Sequence, residues 1–386
     1  MSGPAPIRGT GRLVYFVTED WYFCSHRLPL AVAARKAGYD VSVITRVASH
    51  GGEIRAAGLD LIPFDLSRRS KNPLTELSAI KRLTGIYRQL KPDIVHHVAT
   101  KPVIYGSIAA RLAGIRHVVN AIAGLGSIFT TDSATARMLR PLIRTSMRRL
   151  LNNDRTTVIL QNPDDVDAVC RSLRVARERI VQVRGSGVDP DVYRYVPEPE
   201  GVPVVMLASR LLWDKGVGEF VEAAAMLQAE GREVRFVLVG DGDDANPASI
   251  GAKTLDKWRR SANVELWGRR EDMPDVLPQA HIVCLPSYRE GLPKVLIEAA
   301  SCGRPIVTTD APGCREIVRH DENGLLVPVR DAAALADAIR TLLDDPALRL
   351  RMGARGREIV KQEFTVDHVV AATLGVYKSM LEGAAA

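Results

Sequence analysis

Residues 12–45 read RLVYFVTEDWYFCSHRLPLAVAARKAGYDVSVIT, and this stretch decides the predicted fold. Arg12–Thr18 form an apolar run typical of a buried strand, and Tyr39–Thr45 form a second one. Between them, Ser25–Ala37 have the pattern of a helix, which Gly38 closes. Two strands joined by a helix within about 35 residues make a βαβ unit, so the sequence predicts a parallel sheet.

The same alternation continues through both halves of the 386-residue chain. A Pro-rich, acidic stretch, Val196–Pro203, separates the halves and is typical of a linker. The predicted fold class is therefore α/β, with two Rossmann-like doubly wound domains facing a cleft. We expect domains at residues 1–195 and 196–365, and a C-terminal helix at 366–386 that can cross back to the first domain.

The composition is that of an ordinary globular protein, with 46% hydrophobic and 25% charged residues. No apolar run of about 18 residues predicts a spanning helix, and the N-terminus has no apolar core of a signal peptide. Five scattered cysteines without CxxC pairs indicate reduced thiols. We therefore expect a cytoplasmic protein.

The charge is distributed unequally along the chain. Residues 1–195 contain 29 Lys and Arg against 16 Asp and Glu, and the remaining residues contain 23 against 29. A basic first half indicates an anionic partner, and a nucleic acid, a membrane surface or a phosphorylated substrate would each fit.

Polar and glycine residues follow four predicted strands of the second half. Open parallel sheets bind ligands at the carboxyl ends of their strands, so one ligand could contact all four ends. The residues at these ends are Ser209, Arg210 and Lys215 after the first, Gly240 and Asp241 after the second, Arg269 and Arg270 after the third, and Glu290 and Gly291 after the fourth.

The fourth of these ends leads into a helix whose start has the features of an anion site. Pro293 suits a first helical turn, and Gly291 lets the backbone approach a ligand closely. Lys294 is unfavourable at a helix N-terminus unless an anion lies near. With Arg210 and Lys215 at the same point, these groups predict a diphosphate clamp.

Two carboxylates flank the clamp. Glu290 precedes the helix and would lie beside whatever the diphosphate carries, whereas Glu298 lies inside the helix and could accept hydrogen bonds from a ribose diol. Each residue alone is usually an exposed surface group. Their joint occurrence at successive strand ends favours a nucleotide-sugar site.

These motifs resemble the donor site of retaining GT-B glycosyltransferases of family 4. The resemblance spans nearly the whole chain and includes EGLPKVLIEA at 290–299 with Ser209, Arg210, Lys215 and Gly216. Segments of the first half are similar to one branch, the N-acetylgalactosaminyltransferases that extend polyprenyl-diphosphate-linked oligosaccharides. These segments are SHRLPLA at 25–31, LSRRSKNP at 66–73, residues 93–111 and AGLGS at 123–127.

The resemblance implies a role for each matching residue. Arg210 and Lys215 would neutralise the donor diphosphate, and Glu298 would bind ribose. Glu290 would bind the donor sugar, with the amides of Gly291 and Leu292 near it. The backbone of Arg269 and Arg270 would lie near the base, and His96 or His97 would lie at the cleft near the reacting hydroxyl. Many family members carry a Gly-Gly loop after the first strand, whereas this chain has TEDWYFCSHR at 18–27.

The resemblance also implies the reaction and its partners. A hexosyltransferase would move a sugar, an N-acetylhexosamine by the branch resemblance, from a UDP-linked donor to a polyprenyl-diphosphate-linked acceptor with retention of configuration. No cofactor and no metal is expected: Asp241 and Asp243 form a DxD motif, but Gly-Asp turns are common. Alternatives are a nucleotide-sugar 2-epimerase of the same architecture and a binding module without catalysis. Basic residues without interleaved aromatics do not favour nucleic acid.

Residues 136–151, ARMLRPLIRTSMRRLL, have two interpretations. Their arginines recur at helical spacing among apolar residues, as in an interfacial helix drawn to anionic lipid. An ordinary surface helix with a buried apolar face fits equally well. The basic first half favours peripheral association with the membrane. Trp21, Tyr22 and Phe23 likewise could contact an acceptor or lipid, or pack in the core.

Overall fold

The computed structural model describes residues 10–66, 73–122, 144–243, 246–261 and 263–382. The chain divides into two compact units, an N-terminal unit of Met1–Ser186 with Val366–Ala386 and a C-terminal unit of Gly187–Thr365. The units divide after Ser186, before the boundary between residues 195 and 196 that the sequence predicts. Residues 187–195 pack with the C-terminal unit. There, the amide of Val188 donates to the carbonyl of Phe364 at 3.0 Å.

The N-terminal unit contains a seven-stranded sheet in which every described pair is parallel, with strand order β3-β2-β1-β4-β5-β6-β7. Reversal of the strand order beside β1 is the signature of a doubly wound sheet. The strands are β1 (Gly11–Glu19), β2 (Tyr39–Arg46), β3 (Asp60–Pro63), β4 (Ile94–Val98), β5 (His117–Ala121), β6 (Thr156–Leu160) and β7 (Ile180–Gln182).

Helices cover this sheet and connect its strands. The labelled ones are α1 (Asp20–His26), α2 (Leu28–Lys36), α3 (Gly51–Ala56), α4 (Pro73–Leu90), α5 (Thr100–Ala113) and α6 (Pro163–Leu173), and residues 144–151 are also helical. The last helix of the chain, Val366–Glu382, packs against α2 in this unit. Its Tyr377 is fully buried and packs with Tyr15 of β1 and Tyr39 of β2, so this helix is part of the N-terminal core.

The C-terminal unit contains a six-stranded parallel sheet with the order β10-β9-β8-β11-β12-β13. Its strands are β8 (Val204–Ala208), β9 (Arg235–Val239), β10 (Glu265–Gly268), β11 (Ile282–Leu285), β12 (Ile306–Thr309) and β13 (Gly324–Val327). The strands at the centre of the sheet are buried on both faces, which explains why they appear in the sequence as continuous apolar runs.

The labelled helices of the C-terminal unit are α7 (Val217–Ala229), α8 (Ala252–Arg260), α9 (Met273–Val276), α10 (Lys294–Ser301), α11 (Ala332–Asp344) and α12 (Pro346–Glu363). The helix Val366–Glu382 of the N-terminal unit is labelled α13. Two apolar clusters fill the two sides of the sheet. One contains Phe220 and Phe236, and the other contains Leu296 and Phe364. Two doubly wound α/β units confirm the predicted fold class.

Candidate active site

The four predicted strand ends are neighbours in the C-terminal sheet. Because the order runs β10-β9-β8-β11, the loops that follow these strands adjoin one another. Backbone hydrogen bonds join them in series: Gly240 N to Gly268 O at 2.8 Å, and Ser209 N to Val239 O at 3.0 Å. These bonds fix the relative positions of the loops before any ligand is bound.

Gly216, at the start of α7, allows the loop after β8 to pass close to the end of β11. It has φ of 71°, and a Cβ at this position would lie 2.1 Å from the carbonyl oxygen of Pro286. The carbonyl of Asp214 accepts hydrogen bonds from the Tyr288 amide at 2.9 Å and the Ser287 hydroxyl at 3.1 Å. This close contact sets the position of Lys215, between Asp214 and Gly216.

Gly240, after β9, makes an equivalent close contact with the other side of the loop after β8. Its φ is 131°, and a Cβ there would lie 1.9 Å from the carbonyl oxygen of Ser209. The Ser209 hydroxyl donates to the Arg210 carbonyl at 2.9 Å, and the Leu211 amide donates to the Asp241 carbonyl at 2.9 Å. Glycine is required here because the two loops touch through their backbones.

Lys215 forms an ion pair with Glu290, so the structure brings together two of the predicted residues. The ammonium donates to Oε1 of the carboxylate, and both side chains are largely shielded from water. The amide of Glu290 is held by the carbonyl of Pro312 at 3.0 Å. The lysine is therefore oriented by a carboxylate.

Arg210 pairs with a carboxylate on a different neighbouring loop. Its Nη1 is 2.8 Å from Oδ2 of Asp243, on the loop after β9, and the guanidinium is nearly half exposed. Arg210 and Lys215 therefore leave the same loop but pair with carboxylates on opposite sides of it. The DxD motif of the sequence supplies this counter-ion through its second aspartate.

Glu298 and Lys294 form an i,i+4 ion pair on α10, with 2.6 Å between Nζ and Oε1. Pro293 is the residue before the first helical turn rather than within it. The pair explains how a lysine is tolerated at this helix start, because Glu298 compensates its charge. The ring of Tyr193 lies 5.7 Å from the Lys294 ammonium. Burial, and then the charge of Glu298, raise the pKa of Tyr193.

The remaining predicted donor residues offer mainly backbone groups. Arg269 pairs with Glu271 at 3.2 Å, and Arg270 pairs with Asp272 at 2.5 Å. Leu292 is buried in the apolar cluster beneath α10. The two arginine pairs are exposed at the surface. The backbone contacts that the resemblance implies for Gly291, Leu292, Arg269 and Arg270 stay a prediction.

His96 and His97 lie in the middle of β4 and not beyond its end. Their rings point to opposite faces of the sheet and both are buried. His97 bonds Asn120 at 2.8 Å and Tyr87 at 3.1 Å. His96 bonds the hydroxyl of Tyr377 through Nδ1 at 2.5 Å. The catalytic role that the resemblance implies for one of them stays a prediction, and it would require a ring that is now enclosed to reach the substrate.

Two family models match the chain: "Glycosyl transferase 4-like" over residues 12–162 and "Glycosyl transferases group 1" over residues 202–345. An N,N'-diacetylbacillosaminyl-diphospho-undecaprenol alpha-1,3-N-acetylgalactosaminyltransferase from Campylobacter jejuni is 30% identical over 84% of this chain and 88% of its own length. The chain belongs to this glycosyltransferase family.

One further relative agrees with the family, and one solved structure agrees with the fold. A UDP-Gal:alpha-D-GlcNAc-diphosphoundecaprenol alpha-1,3-galactosyltransferase from Escherichia coli is 27% identical over 70% of the chain and 72% of its own length. The structure of a sucrose-phosphate synthase from Thermosynechococcus elongatus superposes with a TM-score of 0.81 at 20% identity, over 96% of this chain and all of that one. The predicted GT-B architecture is confirmed.

Three side-chain contacts around the predicted site residues were not predicted. Tyr193 approaches the Lys294–Glu298 pair, Asp243 holds Arg210, and Glu219 accepts a hydrogen bond from Tyr288 at 2.6 Å. All three contacts join residues distant in sequence. Only the GDGD turn at Asp243 is visible in the sequence, where we interpret it as a common Gly-Asp turn without a metal.

No metal cluster was found among the residues that the structure of this glycosyltransferase describes: no three or more His, Cys, Asp or Glu side chains group together suitably. Within the same residues, no helix is both long and apolar enough to cross a bilayer. Of the sequence segments noted above, residues 67–72, 123–127 and 136–143 lie outside the described part.

Proposed function

We propose that this glycosyltransferase moves an N-acetylhexosamine from a UDP-linked donor to a polyprenyl-diphosphate-linked saccharide, with retention of configuration and without a metal. The product would serve the assembly of a bacterial surface glycan or of the glycan of a glycoprotein. The observation that carries the proposal is the Lys215–Glu290 pair, held at a sheet edge beside the start of α10.

Lys215 and Arg210 suit the departure of a diphosphate. Cleavage of the anomeric C–O bond leaves negative charge on the phosphates and positive charge on the sugar ring. Positioned cations and amides at the start of α10 stabilise the first charge without reorganising, which is an effective form of electrostatic catalysis. Glu290, freed from part of its contact with Lys215, would hold the sugar through a hydroxyl.

Retention is proposed with no protein nucleophile. The acceptor hydroxyl would attack from the face that the diphosphate leaves, and the departing phosphate oxygen would take the acceptor proton. Glu290 then positions the donor and does not form a covalent intermediate, so the two-carboxylate logic of glycosidases does not apply. The configuration of the product is measurable from the coupling constant of its anomeric proton, and an inverted product would contradict this mechanism.

The acceptor class is supported by the names of the Campylobacter and Escherichia coli relatives, which both specify diphospho-undecaprenol-linked acceptors. The reported relatives and both family models are transferases, so no observation favours the epimerase alternative. A panel of nucleotide-sugars should release nucleotide only with a polyprenyl-diphosphate-linked sugar present. An epimer formed without acceptor would indicate the epimerase, and neither product would indicate a binding module.

EDTA should leave the rate unchanged, and a loss restored by Mg²⁺ or Mn²⁺ would refute metal independence.

A peripheral position on the cytoplasmic face of the membrane is part of the proposal. In the described part of the candidate helix, Arg144 and Arg148 are exposed, whereas Met147 and Leu151 are buried in the N-terminal unit. An anionic lipid surface would attract the exposed arginines. Reversing Arg144 and Arg148 to Glu should weaken sedimentation with anionic vesicles at low salt.

The matched control for vesicle binding reverses Lys36 and Arg171, two exposed cations elsewhere in the same unit. It produces the same change in net charge. Equal losses in both double variants would indicate general charge attraction, and no loss in either would remove the membrane proposal.

A further inference from the structure

Arg27 is a buried cation of the N-terminal unit, and its side chain has no partner in the described part of the chain. It lies between α1 and α2 and is only 5% exposed. Among the residues that the structure describes, none accepts a hydrogen bond from its side chain or forms an ion pair with it, and its Nε is enclosed with no partner. An arginine in this state requires a physical explanation.

The other buried arginines show what is missing. Arg349 is also 5% exposed, but its guanidinium binds both oxygens of Glu198 at 2.7 and 3.0 Å and the Leu342 carbonyl at 2.8 Å. Arg304 donates to the carbonyl of Val196 at 2.6 Å. Removing a charge from water costs several kcal/mol unless a partner compensates it. Among the described residues, none supplies Arg27 with a counter-ion such as the one Glu198 gives Arg349.

The surroundings of Arg27 repel cations and attract anions. Helix α2 begins directly after Arg27, with no side chain capping its N-terminus and no acidic residue in its first turn. The free N–H groups and the helix dipole give this end a positive potential. Arg27, like Lys294, is a basic residue at a helix start. The first turn of α2 holds no acidic residue, whereas Glu298 compensates Lys294 on α10, so the start of α2 favours a bound oxyanion.

A second buried nitrogen of the same unit, Nε2 of His96, also has no hydrogen-bond partner among the described residues. Nδ1 of the same ring faces the hydroxyl of Tyr377, which also lies 2.9 Å from the hydroxyl of Tyr15. Burial, and then the charge of Arg27, hold the pKa of His96 well below its usual value. The ring is neutral, and if Tyr377 donates to Nδ1, the proton lies on Nε2.

The position within the fold is that of a ligand site. Helix α1 follows the carboxyl end of β1, where parallel sheets bind ligands. Beside Arg27, the rings of Tyr22 and His26 stack at 4.2 Å, and Trp21 packs edge-on against Tyr22. These rings are half-buried, whereas Phe23 is in the core. An anion at Arg27 would have aromatic faces beside it.

We propose that Arg27 and the start of α2 form a phosphate site, which the diphosphate of the acceptor occupies. The loop that replaces the family's Gly-Gly turn thereby gains a role of its own. This inference rests on the proposed function, which supplies the diphosphate of the acceptor. The same phosphate chemistry could also come from free pyrophosphate. The experiments below separate these sources.

Stability distinguishes a ligand site from a structural arginine. In Arg27→Met an uncompensated buried charge is replaced by an apolar chain of similar length, so the Tm should stay equal or rise. In the control Arg349→Met, which leaves Glu198 buried without its partner, the Tm should fall. A clear fall in Arg27→Met would overturn the proposal, because Arg27 would then support the fold.

Kinetics identify the acceptor as the source of the phosphate. Arg27→Met should raise KM for a polyprenyl-diphosphate-linked sugar by about 10-fold or more, the loss expected for a charge-assisted hydrogen bond. KM for the nucleotide-sugar, and for the same acceptor sugar as a simple alkyl glycoside, should not change. Arg27→Lys should recover part of the loss. Equal losses with both acceptors would overturn the proposal.

Direct binding is tested with inorganic pyrophosphate. The titration uses Lys215→Ala protein, in which the donor phosphate site is disabled, and compares it with the Lys215→Ala/Arg27→Met double variant. Binding that disappears in the double variant supports the site, and binding that persists unchanged refutes it. If the wild type transfers to no lipid-linked acceptor, the proposed function fails, and this titration alone decides whether Arg27 binds phosphate.

Discussion

At the scale of single residues, Lys215 is the group on which transfer depends most directly. We predict that Lys215→Ala lowers kcat/KM by about 10²–10³, the usual effect of removing one preorganised group that stabilises developing negative charge. Glu290→Ala should lower kcat/KM at least as much, since it removes the group that orients Lys215 and holds the sugar. Circular dichroism should show an intact fold.

The control for Lys215→Ala is Lys253→Ala, an exposed lysine of the same unit on α8. It should turn over at the wild-type rate. Near-normal rates in both Lys215→Ala and Glu290→Ala would remove the site assignment.

His97 predicts a pH dependence of stability. Burial lowers its pKa to about 4, against an ordinary value near 6.5. A depressed histidine pKa stabilises the fold above about pH 6.5, and this contribution is lost as the pH falls towards 4, because the unfolded chain binds the proton first. The slope due to His97 should be about 1 kcal/mol per pH unit between about pH 6 and pH 5.

The variant His97→Gln should show a smaller fall in the free energy of unfolding over this interval, measured by urea titration at each pH. His96, which is also buried and neutral, should keep part of the slope. An identical slope in wild type and variant would show that His97 does not titrate as its burial requires.

At the scale of elements, the sheet edge was predictable and its side-chain pairing was not. Parallel strands place their carboxyl ends together, so Ser209, Gly240 and Glu290 could be assigned to one edge from sequence alone. The partners of Arg210 and Lys215 depend on side-chain rotamers and loop paths, which leave no periodic signal. The His96 and His97 rings show the same limit: alternation gives opposite faces, but the depth of burial depends on distant helices.

Gly216 carries a prediction at this scale. Gly216→Ala places a Cβ 2.1 Å from the Pro286 carbonyl, so the loop that presents Lys215 must move away from β11. Activity should fall by about 10-fold or more, because misplacing a catalytic group by about 1 Å can cost two orders of magnitude. The unfolding free energy should fall too, by more than the 1–2 kcal/mol or so of left-handed backbone strain alone.

Gly231→Ala is the matched control for Gly216→Ala. Gly231 has a φ of 77° in the same unit, but a Cβ there meets nothing within 4 Å. It should show the backbone strain without the loss of activity. Equal activity in the two variants would mean that the contact between the loops after β8 and β11 does not position Lys215.

At the scale of the whole molecule, the chain returns to its first unit through α13. The sequence predicts a terminal helix, but only the three-dimensional contacts assign it to the N-terminal core, because its anchor is a tyrosine buried against strands from the opposite chain end. The division at Ser186 likewise depends on contacts of Val188 with Phe364, which no linker composition reveals. Composition marks where a chain is loose, whereas packing decides where a unit ends.

Tyr377 therefore links the last helix to the stability of the N-terminal unit. Tyr377→Ala removes a fully buried ring and the hydroxyl that joins Tyr15 to His96, at a cost of about 3–5 kcal/mol by analogy with other large-to-small core substitutions. Hydrogen exchange should become faster in β1, β2 and β4, and should not change in β8 to β13, which belong to the other unit. Tyr377→Phe separates the two contributions, since it keeps the ring and loses only the hydrogen bonds, and it should show a smaller effect of about 1–2 kcal/mol. Uniformly faster exchange across both sheets would instead mean that the two units unfold as one.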